Sequence, residues 1–149
     1  MKAIIRTWRN FLQESTVKYQ GILMINPGEK IRSQIEAFQS MLPEEAQKIA
    51  SKDLHVTLIH QSVLKPFHSQ IENLNLPGPP PLQIYDKVFV RKSPGKKSWV
   101  LKVQNQEEFR TYVRKIMKML GSSNEDPEPE RMFHITLANL TGNPHDSVR

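Results

Sequence analysis

The sequence contains no cysteine. Disulfides, thiolate nucleophiles and cysteine-ligated zinc are therefore excluded. It also lacks any apolar run approaching the ~20 residues that a membrane-spanning helix needs. Near the N-terminus, Arg6, Arg9 and Asn10 interrupt the apolar residues, so the uninterrupted core of a signal peptide is missing. Histidines and carboxylates are not clustered at the spacing of helix-borne zinc sites. These absences lead us to expect a protein of the cytoplasm (the host cytoplasm if the chain is viral). They suggest no membrane association, no metal, no cofactor and no obligate protein partner.

The 149 residues suggest one domain long enough to bury a core, with 38% hydrophobic and 24% charged residues. Lysine and arginine number 21 against 15 aspartates and glutamates, a formal net charge of +6, and the isoelectric point is near 9.7. Such a balance favours polyanionic partners, among them nucleotides and nucleic acid.

One tetrapeptide pattern occurs twice, as His55-Val56-Thr57-Leu58 and His134-Ile135-Thr136-Leu137. The chain has five histidines, six threonines and 13 leucines. By composition, two His-x-Thr-Leu matches arise by chance on the order of once in ten thousand sequences. Both copies lie in apolar runs that read as strands, Leu54 to Ile59 and Met132 to Leu140. Alternate side chains of a strand point to opposite faces. His55 and Thr57 therefore share one face, as do His134 and Thr136, while the apolar partners anchor the strand from behind.

Two imidazoles from two halves of a chain suit general acid–base catalysis, because an ordinary pKa near 6.5 allows one neutral and one protonated ring. The hydroxyls of Thr57 and Thr136 can donate to non-bridging phosphate oxygens without adding charge. Together these groups fit phosphodiester cleavage or the opening of a cyclic phosphate, with His55 and His134 catalytic and Thr57 and Thr136 substrate-binding. The assignment of acid and base stays open at this level.

The paired motifs resemble the 2H phosphoesterase superfamily, which includes 2',3'-cyclic nucleotide phosphodiesterases and carries His-x-Thr/Ser-x once in each half. The resemblance covers residues 17 to 141. It implies an α+β fold with two antiparallel-sheet lobes related by pseudo-twofold symmetry around a central cleft. It also implies metal-independent hydrolysis of cyclic phosphates or of phosphodiester bonds in RNA ends or cyclic oligonucleotides. Two alternatives accompany it: a phage anti-immunity hydrolase that degrades bacterial cyclic oligonucleotide signals, and a non-catalytic RNA- or nucleotide-binding module of the same fold. His55, Thr57, His134 and Thr136 match the family motif position by position.

Residues 1 to 16 form an N-terminal amphipathic segment, with Ile4, Ile5, Trp8, Phe11 and Leu12 on one helical stripe. It is either a helix packed on the domain or a removable leader, and residues 17 to 149 are the single catalytic domain. Tyr19 to Asn26 reads as one buried strand. Ile31, Ile35, Phe38 and Leu42 mark an amphipathic helix, and Glu44 to Ala50 a further short helical piece. A regular strand would place His60 on the face opposite His55, in a structural or rim position. Val63 to Leu74 is loosely helical, and Pro77 to Pro81 is a stiff connector.

Leu82 to Lys92 and Lys97 to Gln104 read as a hairpin around Ser93-Pro94-Gly95-Lys96. Its basic turn with Trp99 close by suits phosphate and base contacts, or else is a solvated turn beside a core tryptophan. Asn105 and Glu108 resemble a capping box before a helix carrying Phe109, Tyr112, Val113, Ile116 and Leu120. Ser122 to Glu130 reads as a flexible acidic loop. His145 beside Asp146 in the tail lacks a nucleophile motif.

Overall fold

The computed structural model describes residues 15 to 148. The amphipathic segment at residues 3 to 14 lies outside these. Thr16–Gln20 (β1) and Ile22–Asn26 (β2) are followed by helix Glu29–Gln39 (α1) and the short strand Gln47–Lys48 (β3). The first motif strand is Val56–Ile59 (β4), then come helices Gln61–Leu64 (α2) and His68–Glu72 (α3). Strands Ile84–Ser93 (β5) and Lys96–Val103 (β6), helix Gln106–Met119 (α4) and the second motif strand His134–Asn139 (β7) complete the order. The class is α+β. The strands form one antiparallel seven-stranded sheet, ordered β1-β2-β4-β7-β6-β5, with β3 added alongside β7. No helix among the described residues is long and apolar enough to cross a membrane.

The alternation of β4 and β7 builds the core. Val56, Leu58, Ile135 and Leu137 are essentially inaccessible and join one cluster with Ile35 of α1 and Phe109, Val113 and Ile116 of α4. The amphipathic helices thus cover one face of the sheet, and the motif histidines and threonines fall on the other. Gln39, buried at the end of α1, donates through Nε2 to the carbonyls of Ile49 and Leu137, both at 2.9 Å. These bonds tie α1 to the second motif strand.

Several local features depart from the sequence reading. Tyr19 to Asn26 is not one strand: β1 turns back on β2 with Gln20 paired to Ile22. Gly21 between them adopts a φ of 79°, a backbone conformation that costs glycine little. Residues Glu44 to Ala50 hold β3 instead of a helix, because pairing of Gln47 and Lys48 with Asn139 and Ala138 supplies their backbone partners. The capping box is not made. The Asn105 side chain instead donates to Pro81 O and accepts from Gln83 N, fastening the connector to the start of α4.

The proline-rich connector is held at its other end by Tyr112, whose hydroxyl donates to Pro77 O at 2.7 Å. Burial pushes the Tyr112 pKa up to about 12, so it keeps that proton at any ordinary pH. The Pro94-Gly95 turn closes the β5–β6 hairpin as expected, with Ser93 paired to Lys96 and Gly95 at φ 75°.

Gln39 gives a direct test of how the helical layer is fixed to the motif strand. Gln39→Leu keeps the bulk and removes both donated bonds from buried carbonyls. It should cost about 1–3 kcal/mol, read from chemical denaturation. Unchanged stability would show that the bonds do not hold the layers together.

Candidate active site

The two motif strands meet at a single registered pair, Val56 with Ile135, the second residue of each tetrapeptide. In an antiparallel pair this places His55 next to Thr136, and Thr57 next to His134. All four side chains line one cleft of about 720 Å³. The structure therefore brings together the two histidines and two threonines of the repeated motif.

Each imidazole is held by the same local device. The Nδ1–H of His55 donates to Asp53 O at 2.7 Å, and that of His134 to Met132 O at 3.0 Å. Both acceptors lie two residues upstream on the backbone. When Nδ1 carries the donated proton, Nε2 is the ring nitrogen left for a substrate, as acceptor when neutral and as donor when protonated.

Both motif strands also carry a bulge immediately after the threonine. Opposite β2, Thr57 and Ile59 pair with the consecutive residues Met24 and Leu23, so Leu58 is the extra residue. Opposite β6, Thr136 and Ala138 pair with Val100 and Trp99, so Leu137 is extra. A bulge resets the alternation of side chains. Leu58 and Ile59 are accordingly both buried, as are Leu137 and Ala138. This overturns the expected face of His60 but not its expected rim position. It lies on the cleft side with His55 and lines the same space, in a rim position before α2.

Two arginines that motif reasoning did not select also line the cleft, Arg91 of β5 and Arg131 just before β7. Arg131 donates through Nε to Thr57 O at 3.2 Å and pairs with Glu128 at 3.0 Å. It therefore links the acidic loop directly to the first motif. Burial lowers its pKa and Arg91 acts in the same sense, while Glu128 opposes both through its charge and hydrogen bond. The acidic loop is further fastened by Arg114 to Asp126 at 3.3 Å and by Arg110 to Pro129 O. The contacts of Arg110 and Arg114 with this loop span 19 and 12 residues, and spacing alone does not reveal them.

The tail forms another wall. Asn139, fully buried, donates to Asn143 O and Ser147 Oγ and accepts from the backbone amides of Thr141 and Gly142. Val148 N donates to Ser98 Oγ at 2.8 Å. These bonds bring Pro144, His145 and Ser147 to the cleft. Asp146 accepts from Thr141 Oγ1 at 2.7 Å. Trp99 is buried in a small cluster with Ala46 and Ala138, which removes it from base contacts at the hairpin turn. Among the described residues, no three histidines or carboxylates gather as a metal-ligand set.

His134 is electrostatically distinct. Burial lowers its pKa below the ordinary histidine value, and Arg91, Arg131 and His55 add to that effect. The bond to Met132 O opposes it. The neutral ring is favoured at neutral pH.

Comparisons of the chain with protein-family models, curated proteins and solved structures found no match.

The depressed His134 pKa has a defined consequence for stability. Between its folded pKa and the unfolded value near 6.5, the unfolded chain binds more protons at this position, so stability rises with pH. Above about 6.5 the contribution is level, and it falls as pH drops through that window. The stability of the native chain minus that of His134→Gln should therefore decrease between pH 7 and pH 5 in denaturation experiments. A difference independent of pH would contradict the depressed pKa.

Proposed function

We propose that this chain is a metal-independent phosphodiesterase of the 2H phosphoesterase type. In this reading it hydrolyses cyclic phosphates or phosphodiester bonds of nucleotides or RNA ends. The observation that carries the reading is the convergence of both His-x-Thr-Leu motifs on one cleft, with each imidazole tethered through Nδ1 to the backbone two residues upstream. The bilobal, pseudo-twofold arrangement belongs to the same reading. It is supported by the Val56–Ile135 pair, and by bulges at equivalent leucines of the two motifs.

The roles follow from the electrostatics. His134, biased towards its neutral form, accepts a proton through Nε2 from the attacking water or hydroxyl. His55, protonated on Nε2, donates to the leaving oxygen. As the new P–O bond forms and the old one breaks, negative charge grows on the non-bridging oxygens. Thr57 and Thr136 stabilise that charge with hydroxyl donors, and Arg91 and Arg131 with fixed positive charge. The bond from Arg131 to Thr57 O couples one cation to the backbone that presents a hydroxyl, so anion binding and motif geometry are set together.

The test is hydrolysis of 2',3'-cyclic nucleotides by purified protein in EDTA, with products identified by mass. His55→Ala and His134→Ala should each lower kcat by roughly 10²–10⁴-fold, the range for a general acid or base. Full activity in either variant, or abolition of native activity by EDTA, would overturn the mechanism. Binding of nucleotides without turnover would favour the non-catalytic module.

A further inference from the structure

The cleft does not end at the motif strands. Lys102 of β6 pairs directly with His134, and Val100 with Thr136. Phe89 of β5 pairs in turn with Val100. Directly opposed residues share a face, so Lys102 and Phe89 continue the catalytic face across the sheet. Arg91, two residues beyond Phe89 on β5, shares that face, and Lys87, in the irregular stretch between Ile84 and Val88, reaches it by its contact with the Phe89 ring. Arg91 already lines the cleft.

Phe89 is half-buried, with the ammonium of Lys102 at 4.1 Å and that of Lys87 at 5.2 Å from its ring centroid. Each cation gains from the ring, but the two repel each other. No salt bridge to a carboxylate neutralises either lysine among the described residues. An anion bound between them would remove that repulsion. A half-buried ring flanked by cations is also how single-stranded nucleic acid is held, by base stacking plus phosphate contact. β5 lies two strand spacings from β7, roughly 10 Å, a reach on the scale of one nucleotide unit.

We propose that Lys87, Phe89 and Lys102 form a second substrate subsite beside the cleft. It takes the phosphate and base of the nucleotide adjoining the one whose phosphate is attacked. The preferred substrate is then the end of a single-stranded oligoribonucleotide, not a free mononucleotide. This rests on the phosphodiesterase reading for the identity of the neighbouring site, but binding can be measured without turnover.

The probe is a fluorescently labelled hexauridylate ending in a 3'-phosphate, a product-like and unreactive ligand, with binding to the full chain followed by anisotropy. The double variant Lys87→Gln/Lys102→Gln should weaken binding, and the slope of log affinity against log salt should become shallower by about 0.7 for one lost phosphate contact. Lys87→Arg/Lys102→Arg should restore both. Phe89→Leu, which keeps an apolar side chain in place, should weaken binding by roughly 5- to 150-fold through lost stacking. The ratio of kcat/KM for a cyclic-phosphate-ended hexamer to that for a cyclic mononucleotide should fall in the double glutamine variant.

Unchanged affinity and salt slope in that variant would overturn the proposal, as would equal competition by polyglutamate. Lysine-dependent binding without any hydrolysis would uphold the subsite while refuting the catalytic reading. Hydrolysis whose oligomer-to-mononucleotide ratio ignores the lysines would do the reverse.

Discussion

The antiparallel join between β4 and β7 is the constraint on which the site depends. It consists of one registered pair, Val56 with Ile135, at the centre of the sheet. Both residues are fully buried, and the pair sets the register of the two motifs relative to each other. A slip of one residue would send His55 and Thr57, or His134 and Thr136, into the apolar layer beneath the helices. The core therefore specifies the geometry of the polar face. Phe109, Val113 and Ile116 of α4 pack in the same cluster as Val56 and Ile135, so the helical layer supports the strands from the side opposite the motif histidines.

Around that join the cleft is electrostatically asymmetric. Arg91, Arg131 and burial all disfavour the protonated form of His134. The same arginines line the cleft, where the proposed function places a phosphate. In the proposed mechanism, one set of residues would thus yield both the neutral base and the anion site. Glu128 compensates Arg131, which allows a guanidinium to remain half-buried beside the first motif. The tail closes another side through Asn139, which the bulge at Leu137 places on the cleft side of the strand.

Much of this was legible in the sequence. The strands carrying His55 and His134, helix α1 with Ile35, helix α4 with Phe109 and Ile116, and the Pro94-Gly95 hairpin all follow from periodicity and turn chemistry. The repeated tetrapeptide named four side chains that the fold does gather. What was hidden depends on pairing at long range. His60 was expected on the opposite face because a regular strand was assumed, and the extra residue Leu58 becomes visible only against Met24 and Leu23. Arg91 and Arg131 are 40 residues apart and reach the cleft from β5 and from the segment before β7. Trp99 drew attention beside a basic turn, yet the aromatic residue next to Lys87 and Lys102 on the cleft side of the sheet is Phe89, one strand away. β3 could not be read because a two-residue strand has no period of its own.

In the proposed mechanism two imidazoles act together on one phosphate, His134 as base and His55 as acid. The most direct measurement is kcat/KM for a 2',3'-cyclic nucleotide as a function of pH in EDTA. A neutral His134 as base and a protonated His55 as acid predict a bell-shaped profile, with the acidic limb belonging to loss of the neutral base. A profile flat from about pH 5 to 9 would contradict the account.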